Sequence, residues 1–357
     1  MFIDTLKIIG QSQSAANIQS QADSTMNGIV KNELNRQGAE KLGITVTDEE
    51  VKKVLEGYNL PKNDAGMALA RASLLQEKLI TEYFSKLTPE SDNQVSMMAM
   101  LVESDSLIPE LRGRLMNGDN FTMLAGEFAM NSVSIANKGE FGWHPAAVLK
   151  DQLGTSIPVD YAFSPEVKAG DISNALADNA SYKKLGYWLI KITERTEDEL
   201  VNTQALLLSS RFEAEYVKSL LESGENLTGL ADKYSQYSPS KEKHGDLGFL
   251  SSSENVSDAF NGYVFNPQTE LGKWSSPIKD TNYWTKGGAW LVQVVGKEEN
   301  RKLSDDDRNQ LVNTAYSSWS SDLWLDSTAD IIDSWTDEQK QWATNRAIQE
   351  LSKITSS

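Results

Sequence analysis

Lys138-Gly139-Glu140-Phe141-Gly142-Trp143 is the stretch from which the fold can be predicted, because it returns as His244-Gly245-Asp246-Leu247-Gly248-Phe249. Both hexamers read glycine, acid, apolar residue, glycine, aromatic residue after a basic first position. Two glycines around one apolar residue indicate a short strand between turns. A single hexamer is therefore a weak signal, and its repetition is the informative observation.

Other segments repeat with the same spacing. Phe141 and Leu247 are 106 residues apart, and the same offset relates residues 121–125 to 227–231 and residues 99–102 to 205–208. Residues 187–192 match 289–294 at an offset of 102. Four ordered matches predict an internal duplication. Its period is far longer than that of solenoid repeats, so it indicates two tandem domains.

Composition excludes several classes of function. The chain has 34 basic and 51 acidic residues, a net charge of −17, which argues against nucleic acid or an anionic membrane as the main partner. It has no cysteine and two histidines, His144 and His244, so we predict neither a metal site nor a cofactor. No apolar stretch approaches eighteen residues, so we predict no membrane span.

The pattern predicts an α+β chain in four parts. Residues 1–94 and 303–357 have helical spacing, including the capping box Thr47-Asp48-Glu49-Glu50. Residues 95–197 and 198–302 each read as a small antiparallel sheet with surrounding helices. In each repeat a first strand, two helices and the hexamer strand are followed by a closing strand, at 187–192 or 289–294.

Four of the nine tryptophans lie in the C-terminal segment: Trp319, Trp324, Trp335 and Trp342. One interpretation is an amphipathic helix pair that packs on the N-terminal helices. The alternative is an exposed aromatic surface that binds unfolded chains.

The repeats resemble parvulin-type (PpiC) peptidyl-prolyl isomerase domains. Residues 115–125, 139–143 and 170–173 carry the resemblance in the first repeat, and residues 227–235 and 244–249 carry it more closely in the second. Residues 39–51 are similar to the helical chaperone region of SurA/PrsA-type foldases. The resemblance implies parvulin domains inserted between N-terminal and C-terminal helices that together form one lobe.

The resemblance also implies what an active site would contain. Rotation of an X–Pro amide faces a barrier of about 18–20 kcal/mol, and a site can lower it by holding proline in an apolar pocket away from water. Parvulins place a histidine on the first strand, a histidine on the last strand, and a cysteine or aspartate in the loop before the hexamer strand.

Carried over to this chain, the polar positions are lost. The first-strand histidine falls at Ala99 and Ala205, the last-strand histidine at Trp188 and Trp290, and the cysteine or aspartate near Asn131 or Ser132 and near Gln236 or Tyr237. The two tryptophans are either core residues or an aromatic floor for a bound peptide. The candidates for a proline pocket are therefore apolar. They are Ala205, Leu247, Val256, Phe260 and Trp290 in the second domain, and Ala99, Phe141, Val159 and Trp188 in the first.

The resemblance implies an extracytoplasmic folding factor that binds unfolded or proline-containing polypeptides, with weak or no isomerase catalysis. Two alternatives stay open: an active isomerase with an apolar pocket in the second domain, and a non-catalytic docking module. Between the domains, we expect the second to keep more peptide binding. We also expect the natural protein to carry an export signal or anchor ahead of Met1.

Overall fold

A computed structural model describes residues 1–10, 14–57, 60–327 and 336–355. Its contacts divide the chain into two compact units. The helical unit comprises Met1–Glu90 and Leu303–Ser357, and the sheet unit comprises Ser91–Lys302. Each unit is built around its own hydrophobic cores.

The helical unit contains eight of the described α-helices and one π-helical turn, Leu79–Phe84. The helices are α1 (Phe2–Ile9), α2 (Ala15–Ser20), α3 (Ala22–Lys41), α4 (Asp48–Gly57), α5 (Asp64–Lys78), α6 (Ser85–Leu87), α16 (Asp305–Ser327) and α17 (Asp337–Thr355). The predicted capping box is confirmed at the start of α4. The Thr47 amide donates to Glu50 Oε2 at 2.8 Å, and the Glu50 amide donates to Thr47 Oγ1 at 3.3 Å.

The N- and C-terminal helices share their cores, as the sequence predicted. Phe2 and Leu6 of α1 pack with Ala343 and Ala347 of α17. Trp319 of α16 packs in the core formed by α3, α5 and the π-helical turn, so this tryptophan follows the core-packing interpretation. Trp342 is 66% exposed, and Trp335 lies outside the described residues.

The sheet unit holds ten strands and the remaining helices. The strands are β1 (Ser91–Val102), β2 (Glu140–Pro145), β3 (Leu176–Ala177), β4 (Tyr182–Lys183), β5 (Gly186–Arg195), β6 (Val201–Leu208), β7 (Asp246–Leu250), β8 (Ile278–Asp280), β9 (Thr285–Lys286) and β10 (Ala289–Lys302). The helices are α7 (Ile108–Met116), α8 (Phe121–Phe128), α9 (Ser132–Ala136), α10 (Ala146–Leu153), α11 (Ile157–Phe163), α12 (Arg211–Glu222), α13 (Leu227–Tyr234), α14 (Ser238–Glu242) and α15 (Asp258–Val264), and a 3₁₀ turn lies at Asp105–Leu107.

Two four-stranded antiparallel sheets confirm the predicted α+β class with two similar domains. The first sheet has the order β2-β1-β10-β3, and the second has the order β7-β6-β5-β8. We call them, with the helices that pack on them, the first and second domains. In each sheet the hexamer strand is at one edge, and the first strand of the repeat lies beside it.

The closing strands are exchanged between the repeats. β1 of the first repeat pairs with β10 of the second repeat, with Ala99 opposite Val292. β5 of the first repeat pairs with β6 of the second repeat, with Ile190 opposite Ala205. The expectation that each repeat contains its own closing strand is therefore wrong. Equivalent strands carry equivalent apolar patterns, so the sequence could not show which first strand each would join.

Two connections join the exchanged strands, one before β5 and one after β8. They pair with each other as a short two-stranded ribbon, β4 with β9. Lys183 of β4 is fully buried there and donates from Nζ to the carbonyl oxygen of Gly287. Burial lowers the pKa of Lys183 to about 8, although Glu103 and Glu213 act in the opposite direction. The ribbon is therefore part of the packed interior on one side.

A glycine in α3 tests the packing of the helical unit. A Cβ atom on Gly38 would lie 2.5 Å from Leu323 Cδ1 and 2.7 Å from Trp319 Cζ2, whereas a Cβ atom on Gly28 in the same helix meets nothing within 4 Å. We expect Gly38→Ala to lower stability by about 1–3 kcal/mol through overpacking, and Gly28→Ala to raise it by about 0.5–1 kcal/mol through helix propensity. Urea unfolding followed by circular dichroism measures both. Shifts of equal sign would contradict the packing of α16 on α3.

Candidate functional site

The predicted pocket residues collect in two buried clusters, one in each domain. Ala205, Leu247 and Phe260 lie in the core of the second domain with Trp188, and Val256 packs against them. Ala99, Phe141 and Val159 lie in the core of the first domain with Trp290. The sequence had assigned Trp188 to the first domain and Trp290 to the second. Both assignments are wrong, because each tryptophan lies on a closing strand that belongs to the sheet of the other domain.

The centre of the second domain is filled by aromatic rings. The ring of Trp188 makes edge contacts with Phe260, Tyr237 and Tyr283, at centroid distances of 4.9, 5.1 and 5.4 Å. Trp188 and Phe260 are both 0% exposed. Such edge-to-face pairs contribute beyond their buried area. The residues proposed for a proline pocket here are thus a closed core.

The polar atoms of this cluster are satisfied within the protein. Trp188 Nε1 donates to Asp280 Oδ2 at 2.8 Å, and Ser257 Oγ donates to the same oxygen at 2.5 Å. Ser257 also caps α15 by accepting from the Phe260 amide at 3.1 Å. The Tyr283 hydroxyl donates to the carbonyl oxygen of Val256, and burial raises the pKa of Tyr283 to about 12. These bonds orient the rings as structural elements.

The first domain has an equivalent hydrogen bond from its buried indole to an aspartate. Trp290 Nε1 donates to Asp178 Oδ2 at 3.0 Å, and Asp178 also accepts from the amides of Ala180 and Ser181. Burial acts to raise the pKa of Asp178, but these hydrogen bonds outweigh it and lower the pKa to about 2. Sequence reasoning missed Asp178 and Asp280. The signal was present, since they are 102 residues apart, as are Trp188 and Trp290.

The two domains differ at the positions equivalent to the two tyrosines that contact Trp188. By the same offsets, Asn131 stands where the second domain has Tyr237, and Ser181 stands where it has Tyr283. Asn131 is 8% exposed, and its Oδ1 atom has no hydrogen-bond partner in the structure. The buried hydroxyl of Ser134 also has none, whereas the equivalent Ser240 hydroxyl donates to the Ala205 carbonyl. The first domain therefore has smaller and more polar residues at these equivalent positions, although its indole is as fully buried as that of Trp188.

The two histidines lie outside both clusters. His144 is in β2 opposite Val95, and His244 is exposed in the turn before β7, with Nδ1 2.9 Å from Asp232 Oδ1. Within the described ranges, no three acidic or histidine side chains converge as a metal site would require. In the same ranges, no helix is both long and apolar enough to cross a membrane.

Removing an aromatic ring distinguishes a core from a pocket. We expect Phe260→Ala to lower the free energy of unfolding by about 3–5 kcal/mol, because it leaves a cavity against Trp188. The matched control is Phe212→Ala on α12, where the ring is 63% exposed and the expected change is within about 0.5 kcal/mol. Urea midpoints measure both, and a Phe260→Ala protein as stable as its control would mean that the ring lines an open groove.

Comparison with known proteins agrees with this architecture. Residues 188–285 match the family described as rotamase, the PPIC-type PPIase domain. The matched range begins within β5 and ends within β9, so it covers all four strands of the second sheet except the first two residues of β5.

The chain is 29% identical over 209 residues to the foldase protein PrsA of Caldanaerobacter subterraneus subsp. tengcongensis, covering 53% of this chain and 63% of that protein. It is 24% identical over 293 residues to the chaperone SurA of Alkalilimnicola ehrlichii, covering 77% of this chain and 59% of that protein. The chain thus spans about three fifths of the length of these two relatives.

Among solved structures, a peptidylprolyl isomerase (PrsA) from Bacillus cereus aligns with 93% of this chain and 90% of its own, at 12% identity and a TM-score of 0.32. The sequence match and the relatives agree with one another: this chain contains a PPIC-type PPIase domain and is similar to foldases and chaperones of the PrsA and SurA type.

Proposed function

We propose that this chain is a polypeptide-binding folding factor with little or no isomerase catalysis. The observation that carries the proposal is the filled centre of the second domain, where Trp188 and Phe260 are fully buried at positions that would face a bound proline. Neither domain has a histidine on its first or closing strand. Desolvation and pocket shape need an accessible pocket to act on an amide, and a closed core offers none.

The centre of the first domain is closed as well. Trp290 and Ala99 are 0% exposed, and Val159 is 1% exposed. The unpartnered Asn131 Oδ1 atom is also buried, so it is not accessible to a bound peptide. Burial therefore does not distinguish the two domains as sites of residual peptide binding.

A surface of the helical unit supports client binding. A cleft of about 350 Å³ opens between α1, α3 and α5, and its floor is aliphatic, with Ile29, Leu69, Ala72 and Leu75. Arg36 and Arg71 also line it. Arg36 forms ion pairs with Glu33 at 2.6 Å and with Glu40, and Arg71 forms one with Asp48. Because each guanidinium group is paired with a carboxylate, the cleft offers apolar contact to an apolar segment of an unfolded chain.

Location and clients are carried over from the family resemblance. We propose an extracytoplasmic protein whose partners are unfolded or extended polypeptides. The names of the relatives, a foldase and a chaperone, support the class of partner. The net charge of −17 favours basic or neutral clients over nucleic acids.

A proline isomerisation assay tests the absence of catalysis. We expect no acceleration of cis-to-trans conversion in a proline peptide, measured without protease by NMR exchange, because the barrier of about 18–20 kcal/mol is not lowered by a closed core. The same preparation should suppress aggregation of a chemically unfolded client. Turnover at enzyme-like rates would overturn the proposal, and loss of that turnover in Asn131→Ala would locate it in the first domain.

Filling the cleft tests the site of client binding. We expect Ala72→Phe to weaken binding of an unfolded client by about tenfold, since a loss of about 1.4 kcal/mol of apolar contact changes Kd by that factor. Glu77→Phe is the matched control, because it adds the same ring to an exposed position of α5 that does not line the cleft. Fluorescence anisotropy of a labelled client measures both, and equal affinity in the two variants would exclude the cleft.

A further inference from the structure

The second domain leaves and rejoins the first domain at a single point. The Asp178 amide donates to the Gly288 carbonyl at 3.0 Å, and the Gly287 amide donates to the Ser181 carbonyl at 3.0 Å. Just before and after these bonds, Ala177 of β3 pairs with Ala289 of β10. β3 and β10 therefore form one β-hairpin, and residues 178–288 replace the turn that would connect its strands.

The segment between the arms closes on itself. Gly186 at the start of β5 pairs with Asp280 at the end of β8, so the two ends of the second sheet are adjacent. Residues 186–280 supply all four strands of that sheet. Insertion of a domain is tolerated when its termini lie close together, and the exchanged position of β5 brings these termini together.

The same geometry recurs at the outer junction. Ser91 of β1 pairs with Lys302 of β10, so the sheet unit also begins and ends on neighbouring strands. Immediately outside this pair, the Leu303 amide donates to the Glu90 carbonyl at 2.9 Å within the helical unit. If each repeat used its own closing strand, residue 302 would end a different sheet from the one in which residue 91 begins.

We propose that the second domain is a self-contained insert in the β3–β10 hairpin of the first domain, and that the chain folds without it. The units are then nested: the second domain lies within the first, and the first lies within the helical unit. The second domain is a permuted copy, because its closing strand comes first in the chain. Domain boundaries consequently fall at the ribbon β4–β9 and not at the boundary between sequence repeats.

The central hydrogen bonds of the first domain survive removal of the insert. The bonds that Glu103 accepts from the Tyr187 hydroxyl and the Arg211 amide are lost, as is the packing of Met130 on the second-domain core. Trp290, Asp178 and Ser181, which form its central hydrogen bonds, all lie outside residues 182–286. The Gly287 nitrogen lies 3.0 Å from the Ser181 carbonyl oxygen, so a direct peptide bond between the two residues can replace this hydrogen bond and leave a short loop. Gly287 and Gly288 have φ values of +104° and +149°, which gives this loop residues suited to a tight turn.

The first test deletes residues 182–286 and joins Ser181 to Gly287 in the otherwise complete chain. We expect a soluble protein with a cooperative thermal transition and an α+β circular dichroism spectrum. A chain that purifies only as an aggregate, or that melts without a transition, would overturn the claim that the insert is dispensable for folding.

The second test uses the full-length chain, in which no natural cysteine interferes. Met98 pairs with Gln293, whereas Lys191 occupies the equivalent position on the other closing strand, opposite Gln204. Cross-strand neighbours lie within reach of a disulfide. We expect the Met98→Cys/Gln293→Cys variant to form an intramolecular disulfide on mild oxidation, so that it loses both free thiols and stays monomeric. We expect the Met98→Cys/Lys191→Cys variant to keep both free thiols.

The opposite pattern, with the Met98 and Lys191 thiols joined, would show that each repeat closes its own sheet and would overturn the nested arrangement. A disulfide-linked dimer of the Met98→Cys/Gln293→Cys variant would place the exchange between two chains, and would also overturn it. These readouts measure strand pairing, so they are independent of whether the chain binds clients or lacks isomerase activity.

Discussion

The sheet unit depends on two buried indoles, each bonded to an aspartate of the other repeat. Trp188 comes from the first repeat and donates to Asp280 of the second, and Trp290 of the second donates to Asp178 of the first. A buried N–H group without a partner costs about 1–3 kcal/mol. Each closing strand therefore carries an anchor that needs a specific carboxylate, and each domain needs residues from both repeats.

The same indoles are also residues at which this chain departs from the parvulin pattern. They stand on the closing strand at the positions where the parvulin pattern has a histidine. In the second domain the ring fills the space above Phe260, and Tyr237 and Tyr283 complete the cluster. The residue that fixes the exchanged strand is thus also the residue that stands in place of the pattern's histidine.

Chain connectivity gives the exchange its physical reason. The first and last strands of the sheet unit are neighbours, so the chain leaves the helical unit after residue 90 and re-enters it at residue 303 at adjacent points. The two segments of the helical unit can therefore share cores such as that of Phe2 with Ala347. Loop closure is less costly when the joined ends are already close. In the same way, the β4–β9 ribbon, with its buried Lys183, holds the two ends of the second domain close together.

The sequence by itself determined the duplication, the α+β class, the two small sheets with their hexamer strands, the helical ends and the missing histidines. These follow from local periodicity, spacing and residue identity, which one chain displays directly. Only the tertiary structure decided which closing strand joins which sheet, and so which domain holds Trp188 and which holds Trp290. The two repeats present nearly the same apolar pattern, so local sequence makes both pairings equally acceptable. The choice depends on where the chain ends must meet, and that is a property of the whole fold.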